Sequence, residues 1–249
     1  MTIEEVLRAA EVSTAPNGLS FASLPGTAGE APLDRLVAAV PQSVTGRLGR
    51  TVCYFVPWLV KQRRGVAVAT EPAAEGENRK ELCHHLDIKP SANLLLISLR
   101  FYQDDRYGLA MEFFDKIAYI AAMEPAAQND FYQLLDQQLA GAQNGELTPE
   151  ANEWRREAQK RREGGSADRE TEQNYRRAAE TDSLGIYMAS LFTDVFYEDL
   201  AEDAGGPALP PDSLYERMRV LERLYPPNRG YSLQIVRQRP RKSTRATAT

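Results

Sequence analysis

The chain has 249 residues, of which 43% are hydrophobic and 26% are charged, and this balance is that of a globular protein with enough apolar mass for a core. No segment approaches the roughly 20 consecutive apolar residues of a membrane-spanning helix, so we expect no membrane span. The first residues lack the basic start and apolar middle of a signal peptide, and we expect free thiols at Cys53 and Cys83. These features favour a cytoplasmic protein of a bacterium.

The formal net charge of −5 is distributed unevenly along the chain. The last 21 residues contain six basic side chains and no acidic ones, whereas the preceding 228 residues carry a net charge of −11. We therefore expect the body to repel polyanions and the C-terminal tail to contact them. The tail residues that we expect to bind nucleic acid are Arg237, Arg239, Arg241, Lys242 and Arg245.

The N-terminal part predicts short helices separated by a loop. Thr2 and Glu5 form a capping-box pattern, which predicts a helix to about residue 12. Residues 13–32 are rich in Ser, Pro, Gly and Ala and indicate a loop. Apolar residues at helical spacing predict a second helix from Leu33 that Pro41 ends.

Residues 51–56, 65–70 and 94–103 are rich in β-branched, aromatic or alternating apolar side chains, and they predict strands. Gly65 marks a hairpin turn between the first two predicted strands, and Pro57 suggests that the first is an edge strand or contains a β-bulge. Residues 78–86 predict a short helix.

The hairpin turn supplies a second set of candidate nucleic-acid contacts. Basic groups beside the aromatic residues Tyr54 and Trp58 suit phosphate contact combined with base stacking. An ordinary solvated turn is the alternative interpretation. The candidate residues are Lys61, Arg63 and Arg64.

From residue 106 onwards the spacing of apolar residues predicts mainly helices. The predicted helices cover residues 109–121, 131–139, 184–200 and 214–224, and Pro149 marks the first turn of another. A final strand is predicted over residues 230–237, as an antiparallel partner of the earlier strands.

Residues 152–183 contain no Leu, Ile, Val, Phe or Met, and residues 152–180 carry eight basic and seven acidic side chains. Such a segment is not expected to line a core. It predicts a solvated helical arm, broken at Gly164-Gly165 and supported by ion pairs of Glu157 with Arg161 and of Glu172 with Arg176.

Two groups of residues have the side-chain types of catalytic or metal sites. Cys83, His84, His85 and Asp87 are metal-ligand types, but adjacent histidines on a helix point about 100° apart, so we expect no metal and no cofactor. The carboxylates that could hold Mg²⁺ for phosphoryl chemistry are Asp104, Asp105, Glu112 and Asp115. A helix cap at Asp105 and a pair of Glu112 with Lys116 explain the same residues.

Residues 82–100 resemble a helix-turn-helix motif, with residues 82–91 as the first helix and turn and residues 92–100 as the recognition helix. A DNA-binding regulator is what this resemblance implies. A recognition helix exposes polar residues to base edges, and here only Asn93, Ser98 and Arg100 are polar.

We expect an α+β fold: a small antiparallel sheet packed by helices, with a mainly helical C-terminal half and a solvated helical arm. Residues 1–105 form the mixed α/β region and residues 106–249 the mainly helical region of one continuous domain. The leading hypothesis is a non-catalytic interaction subunit of a larger bacterial assembly, with other protein chains as partners and with nucleic acid bound through the basic segments. The alternatives are a metal-dependent phosphoesterase or nuclease that uses the clustered carboxylates, and a helix-turn-helix DNA-binding regulator.

Overall fold

The computed structural model describes residues 1–24, 33–63, 65–69, 80–81, 83–88, 92–99, 106–123, 130–141, 144–166 and 168–236, and it confirms an α+β fold with a mainly helical C-terminal half. The helices in these ranges are α1 (Ile3–Ala9), α2 (Leu33–Ala38), α3 (Gln42–Thr45), α4 (Arg106–Met123), α5 (Asp130–Ala140), α6 (Pro149–Glu163), α7 (Arg169–Phe192), α8 (Tyr197–Asp203) and α9 (Pro211–Leu224). The strands are β1 (Val12–Thr14), β2 (Ser20–Ser23), β3 (Arg50–Val56), β4 (Trp58–Lys61), β5 (Val66–Ala69), β6 (Lys80–Glu81), β7 (Cys83–Ile88), β8 (Ala92–Ser98), β9 (Val195–Phe196) and β10 (Ile235–Val236).

The main sheet has the strand order β1-β2-β3-β8-β7 and is mixed, so the expectation of a purely antiparallel sheet is wrong. β2 and β8 both run parallel to β3, while the outer strands β1 and β7 are antiparallel to their neighbours. The reason is the connection, because the chain passes through α2 and α3 between β2 and β3, and a crossover of that kind returns the next strand in the same direction. A second, antiparallel sheet has the order β5-β4-β6.

Both faces of the two central strands are buried. Phe55 and Ile97 belong to the large core shared with the helices, whereas Tyr54 and Leu96 belong to a smaller core formed with α1 and the second sheet. Because successive side chains of a strand point to opposite faces, a strand buried on both sides has a continuous apolar sequence. The predicted strand over residues 94–103 is confirmed for residues 94–98, and the apolar run in residues 94–97 shows that this strand is central in the sheet.

The predicted helix over residues 78–86 and the helix-turn-helix resemblance are wrong. Residues 83–88 and 92–98 form the antiparallel strands β7 and β8, paired from Cys83 with Ile97 to Ile88 with Ala92. The segment that resembles a recognition helix is largely apolar because residues 94–97 lie in the buried strand β8. The motif on which the DNA-binding regulator was based is therefore absent from residues 83–88 and 92–98.

Two further differences concern short strands. The predicted loop over residues 13–32 contains β2 and most of β1, which are too short and too rich in Ser and Ala to show a strand pattern. Pro57 separates β3 from β4, so that the two lie in different sheets. The hairpin turn itself is confirmed, with β4 paired to β5 and Gly65 at a φ of +81°.

Most of the predicted helices are confirmed, although α7 ends at Phe192 and α8 continues the predicted helix after a break. Thr2 and Glu5 form the expected capping box, and Thr148 caps α6. The final strand is limited to β10, which pairs in parallel with β9 and not with the earlier sheet. None of the helices in the described ranges has the length and apolarity needed to cross a membrane.

The predicted break at Gly164-Gly165 is confirmed, since α6 ends at Glu163 and α7 begins at Arg169. The expectation that the charged segment stays out of the core is wrong. Arg155 is 2% exposed and Tyr175 is fully buried. Polar pairing replaces aliphatic packing here, because the Arg155 guanidinium and the Tyr175 hydroxyl both donate to the buried carboxylate of Glu146, at 2.9 and 2.8 Å. The tip of the α6–α7 hairpin is exposed, whereas its inner face is part of the protein interior.

Candidate functional site

Of the candidate nucleic-acid contacts, Lys61 and Arg63 are exposed on the β4–β5 turn, as contact with a polyanion requires. Arg64 and the tail residues Arg237, Arg239, Arg241, Lys242 and Arg245 lie outside the described residues. Tyr54 is 6% exposed in the smaller core and does not offer its ring for stacking. Glu4 and Glu5 of α1 line the same groove as Gln62, so acidic groups stand near this turn and weaken its positive potential.

Glu112 and Asp115, two of the candidate Mg²⁺ ligands, are held by the same lysine. The ammonium of Lys116 lies 3.5 Å from Glu112, as the helix-pair interpretation expects, and 3.0 Å from Asp115, which that interpretation did not include. Asp104 and Asp105 lie outside the described residues. Within the part of the chain that is described, no group of three or more metal-ligand side chains comes together.

Glu146 is the centre of a fully buried ionic cluster in the helical half. Arg217 of α9 donates to both of its carboxylate oxygens, at 2.7 and 2.9 Å, and Arg155 of α6 donates at 2.9 Å. The Tyr175 hydroxyl donates to the same carboxylate at 2.8 Å. Burial alone would raise the pKa of Glu146, but the Arg217 guanidinium and these hydrogen bonds hold it below its ordinary value.

The backbone places Glu146 in this position. Gly145 has a φ of +110°, and a Cβ there would lie 2.3 Å from the carbonyl oxygen of Ala208. Only glycine permits this close approach, which lets the Glu146 backbone bond to Pro207 and Leu209. The cluster thus joins α6, α7 and α9 around one carboxylate.

A second buried cluster joins the two halves of the chain. Glu180 of α7 is 1% exposed and accepts from Arg47 at 3.0 Å and from the Tyr132 hydroxyl at 2.6 Å. Arg47 also donates to the hydroxyl of Tyr225. The carboxylates of both clusters are matched by donors, which is the arrangement of structural ion pairs.

A polar cavity of about 400 Å³ lies between α4, α6 and α7. Its volume falls within the range of small-molecule sites, about 300–1,000 Å³. The α7 residues that line it are three and four positions apart and therefore share one face of the helix. The lining residues are Asp115, Lys116, Tyr119, Glu150, Trp154, Asn174, Arg177, Ala178, Thr181 and Asp182.

The cavity adjoins a very close crossing of α4 and α7. At Gly185 a Cβ would lie 3.3 Å from the Cα of Asp115, so the two backbones are nearly in contact there. The cavity-lining residues of α7 precede this crossing, one turn and more towards its N-terminus. Glycine permits the close approach at the crossing, and the space beside it is lined by Thr181 and Asp182.

Asp182 contributes to the cavity wall a carboxyl group whose pKa is strongly raised. The Thr148 hydroxyl donates to one of its oxygens at 2.7 Å and accepts from the backbone N–H of Ala151 at 3.2 Å. In the described part of the chain, no Lys or Arg nitrogen lies within 4.0 Å of this carboxylate. Burial raises the pKa of Asp182 to about 7, with a further contribution from the nearby carboxylate of Asp115.

The cations of the cavity are already engaged on the side of α4. Lys116 is held by its two carboxylates, and the Arg177 guanidinium lies 5.5 Å from the ring centre of Tyr119. Trp154 of α6 is half-buried in the wall. The cavity therefore combines a carboxylate without a cationic partner, hydroxyl and amide groups, and two aromatic rings.

A scan against models of protein families and searches of curated proteins and of solved structures found no match for this chain.

Of the lining residues, Asp115 was a candidate ligand from the sequence pattern and Lys116 was expected to pair with Glu112. Asp182 lies at the point where apolar helical spacing resumes, because Leu184, Tyr187 and Leu191 follow it on α7. Extending that stripe backwards by three and four residues reaches Thr181 and Glu180, which are both buried. This continuation was the available signal that the charged segment enters the interior.

Proposed function

We propose that this protein is a non-catalytic binding subunit of a larger bacterial assembly, and that it holds a small polar ligand in the cavity between α4, α6 and α7. The observation that carries the ligand-binding part is Asp182, a half-buried carboxylate on the wall of a cavity of about 400 Å³ with no cationic partner among the described residues. Such a group raises the free energy of the unliganded protein, and a ligand that pairs with it offsets this penalty.

The proposed contact with other molecules of the assembly is inferred from the distribution of charge along the chain. Lys61 and Arg63 are exposed, and the basic tail follows a body of net charge −11. Because Glu4 and Glu5 stand beside the β4–β5 turn, the tail is the stronger candidate for an acidic partner or nucleic acid. Protein chains that co-purify in fixed stoichiometry from the native host would support this part of the proposal.

Ligand binding is tested by thermal unfolding in the presence of small cationic, anionic and neutral compounds. Ala178→Trp fills the cavity, while Ala140→Trp places the same side chain on the exposed end of α5. A true ligand should raise the melting temperature of the wild type and of Ala140→Trp, but not of Ala178→Trp, because ligands stabilise only the state that binds them. The proposal fails if no compound stabilises the protein, or if the cavity-filled variant responds like the wild type.

A further inference from the structure

We infer that the ligand of this cavity is an organic amine, whose primary ammonium group pairs with the carboxylate of Asp182. This inference rests on the proposed ligand-binding function and names the chemical class of the ligand. Among the described residues that line the cavity, three are carboxylates and two are cations, so an anionic ligand meets more repulsion than attraction.

The contacts that Lys116 and Arg177 already make further disfavour an anionic ligand. Lys116 already lies 3.5 Å from Glu112 and 3.0 Å from Asp115, and an anion would have to compete with both. Arg177 is exposed and stacked over Tyr119, at the outer part of the cavity. Asp182 is different, because its described polar contact is the hydroxyl of Thr148. A cationic group supplies the counter-charge that the protein does not provide there.

The neighbouring side chains suit an ammonium group in particular. An ammonium has three donors, and Thr181, which lines the cavity next to Asp182, offers a hydroxyl oxygen as an acceptor. Trp154 lines the cavity with an aromatic ring that suits a cation or the methylene groups attached to it, whereas the Tyr119 ring already has the guanidinium of Arg177 as its partner. A carboxylate, a hydroxyl and an aromatic ring together complement an alkylamine.

Binding of a cation should also be linked to the titration of Asp182. The charged groups that act on this carboxylate from other elements are Asp115 of α4, Glu146 before α6 and Arg217 of α9, and burial raises its pKa to about 7. A ligand ammonium favours the ionised form, so binding near pH 7 releases protons from the protein. Affinity should rise about tenfold from pH 6 to pH 8, as the ionised fraction increases, and then level off.

The test is isothermal titration calorimetry of the full chain with 1,4-diaminobutane, with 1,4-butanediol as the uncharged analogue and glutarate as the anionic probe. We expect the diamine to bind, the diol and glutarate not to bind, and Asp182→Asn to weaken the diamine by at least about tenfold. Glu163→Gln, which removes an exposed carboxylate at the end of α6, should leave the affinity unchanged. Asp182→Asn keeps an acceptor for Thr148, so its fold should be retained, and its unfolding curve verifies this.

Three results would overturn the inference. Diamine binding that is equal in Asp182→Asn would mean association elsewhere on an acidic surface. Glutarate or Mg²⁺ binding that Ala178→Trp abolishes would preserve the ligand cavity but contradict the amine class. The absence of any probe binding, together with no cavity-dependent stabilisation in the thermal screen, would contradict both the amine and the proposed binding function.

Discussion

Asp182 and Glu146 are two carboxyl groups of the helical half whose pKa values shift in opposite directions. Burial raises the pKa of Asp182 to about 7, whereas burial at Glu146 is outweighed by the guanidinium of Arg217 and by further hydrogen bonds. The difference lies in the partners, because Asp182 receives one hydroxyl while Glu146 receives two guanidinium groups and a phenol. Asp182 is therefore available to pair with a ligand, whereas Glu146 stabilises the fold.

Replacing Asp182 by Asn should stabilise the unliganded protein in a pH-dependent way. The folded pKa lies above the unfolded value of about 3.9, so ionisation destabilises the fold progressively as the pH rises from about 4 to 7. The gain of Asp182→Asn over the wild type should grow across this window and then level off at a value on the order of 4 kcal/mol, because each unit between the two pKa values corresponds to about 1.4 kcal/mol. Urea unfolding at several pH values measures it, with the exposed Asp130→Asn as control. A gain that does not change with pH contradicts the assignment.

Replacing Glu146 by Gln should destabilise the protein by about 3–5 kcal/mol, because Arg155 and Arg217 would remain buried without a counter-charge. Since the folded pKa of Glu146 is lowered, its stabilisation is complete above the ordinary glutamate pKa of about 4.3 and is lost as the pH falls through the lowered value. Chemical denaturation at neutral pH tests the magnitude, with Glu163→Gln as the exposed control. A change below about 1 kcal/mol would show that the cluster is not needed for stability.

At the scale of elements, the sequence correctly predicted those helices and turns that aliphatic spacing, helix capping and glycine position determine. The stripe on α4, the capping box at Thr2 and the turn at Gly65 are local signals, and all three are confirmed. Strand β7 was missed because a Cys-His-His segment after Asn78 and Glu81 has the pattern of a helix start, while its strand conformation comes from pairing with β8. Tertiary pairing overrode the local preference.

The inner face of the α6–α7 hairpin escaped prediction for a different reason. Its buried positions are filled by residues such as Arg155, Tyr175 and Glu180, whose partners come from other elements. Periodicity of aliphatic residues cannot reveal such a face, because the favourable contacts depend on charges distant in sequence. The cavity could not be predicted from the sequence either, because its lining residues come from three helices spread over residues 115–182.

The close crossing of α4 and α7 should be sensitive to any side chain at Gly185. Gly185→Ala should change the stability little, because two effects oppose each other. The added Cβ makes a tight contact with the Asp115 backbone, whereas alanine has a helix propensity that is better by about 1 kcal/mol. Gly185→Val should destabilise the protein by about 1–3 kcal/mol, because the helices must separate. Ala178→Val, which faces the cavity on the same helix, is the control for β-branching. Equal stability of the two valine variants would contradict the crossing.

At the scale of the whole molecule, the acidic body and the basic tail should have separate roles. Truncation after Val236 removes Arg237, Arg239, Arg241, Lys242 and Arg245, and we expect it to abolish salt-dependent binding to nucleic acid. If all five contact phosphates, the logarithm of the binding constant should fall with the logarithm of salt concentration with a slope of about −4. Fluorescence anisotropy at several salt concentrations measures this slope. The truncated chain should unfold like the full chain, and undiminished binding by it would exclude the tail as the contact.

The central claim, that Asp182 is the ligand-pairing group of the cavity, can be tested on the carboxyl group itself. Carbon-13 NMR of the side-chain carboxyl groups follows the titration of Asp182, which Asp182→Asn assigns. The account predicts a pKa of about 7 in the free protein and a fall of at least about one unit with saturating 1,4-diaminobutane, because the ammonium favours the ionised form. An ordinary aspartate pKa in the free protein, or one that the diamine leaves unchanged, would contradict it.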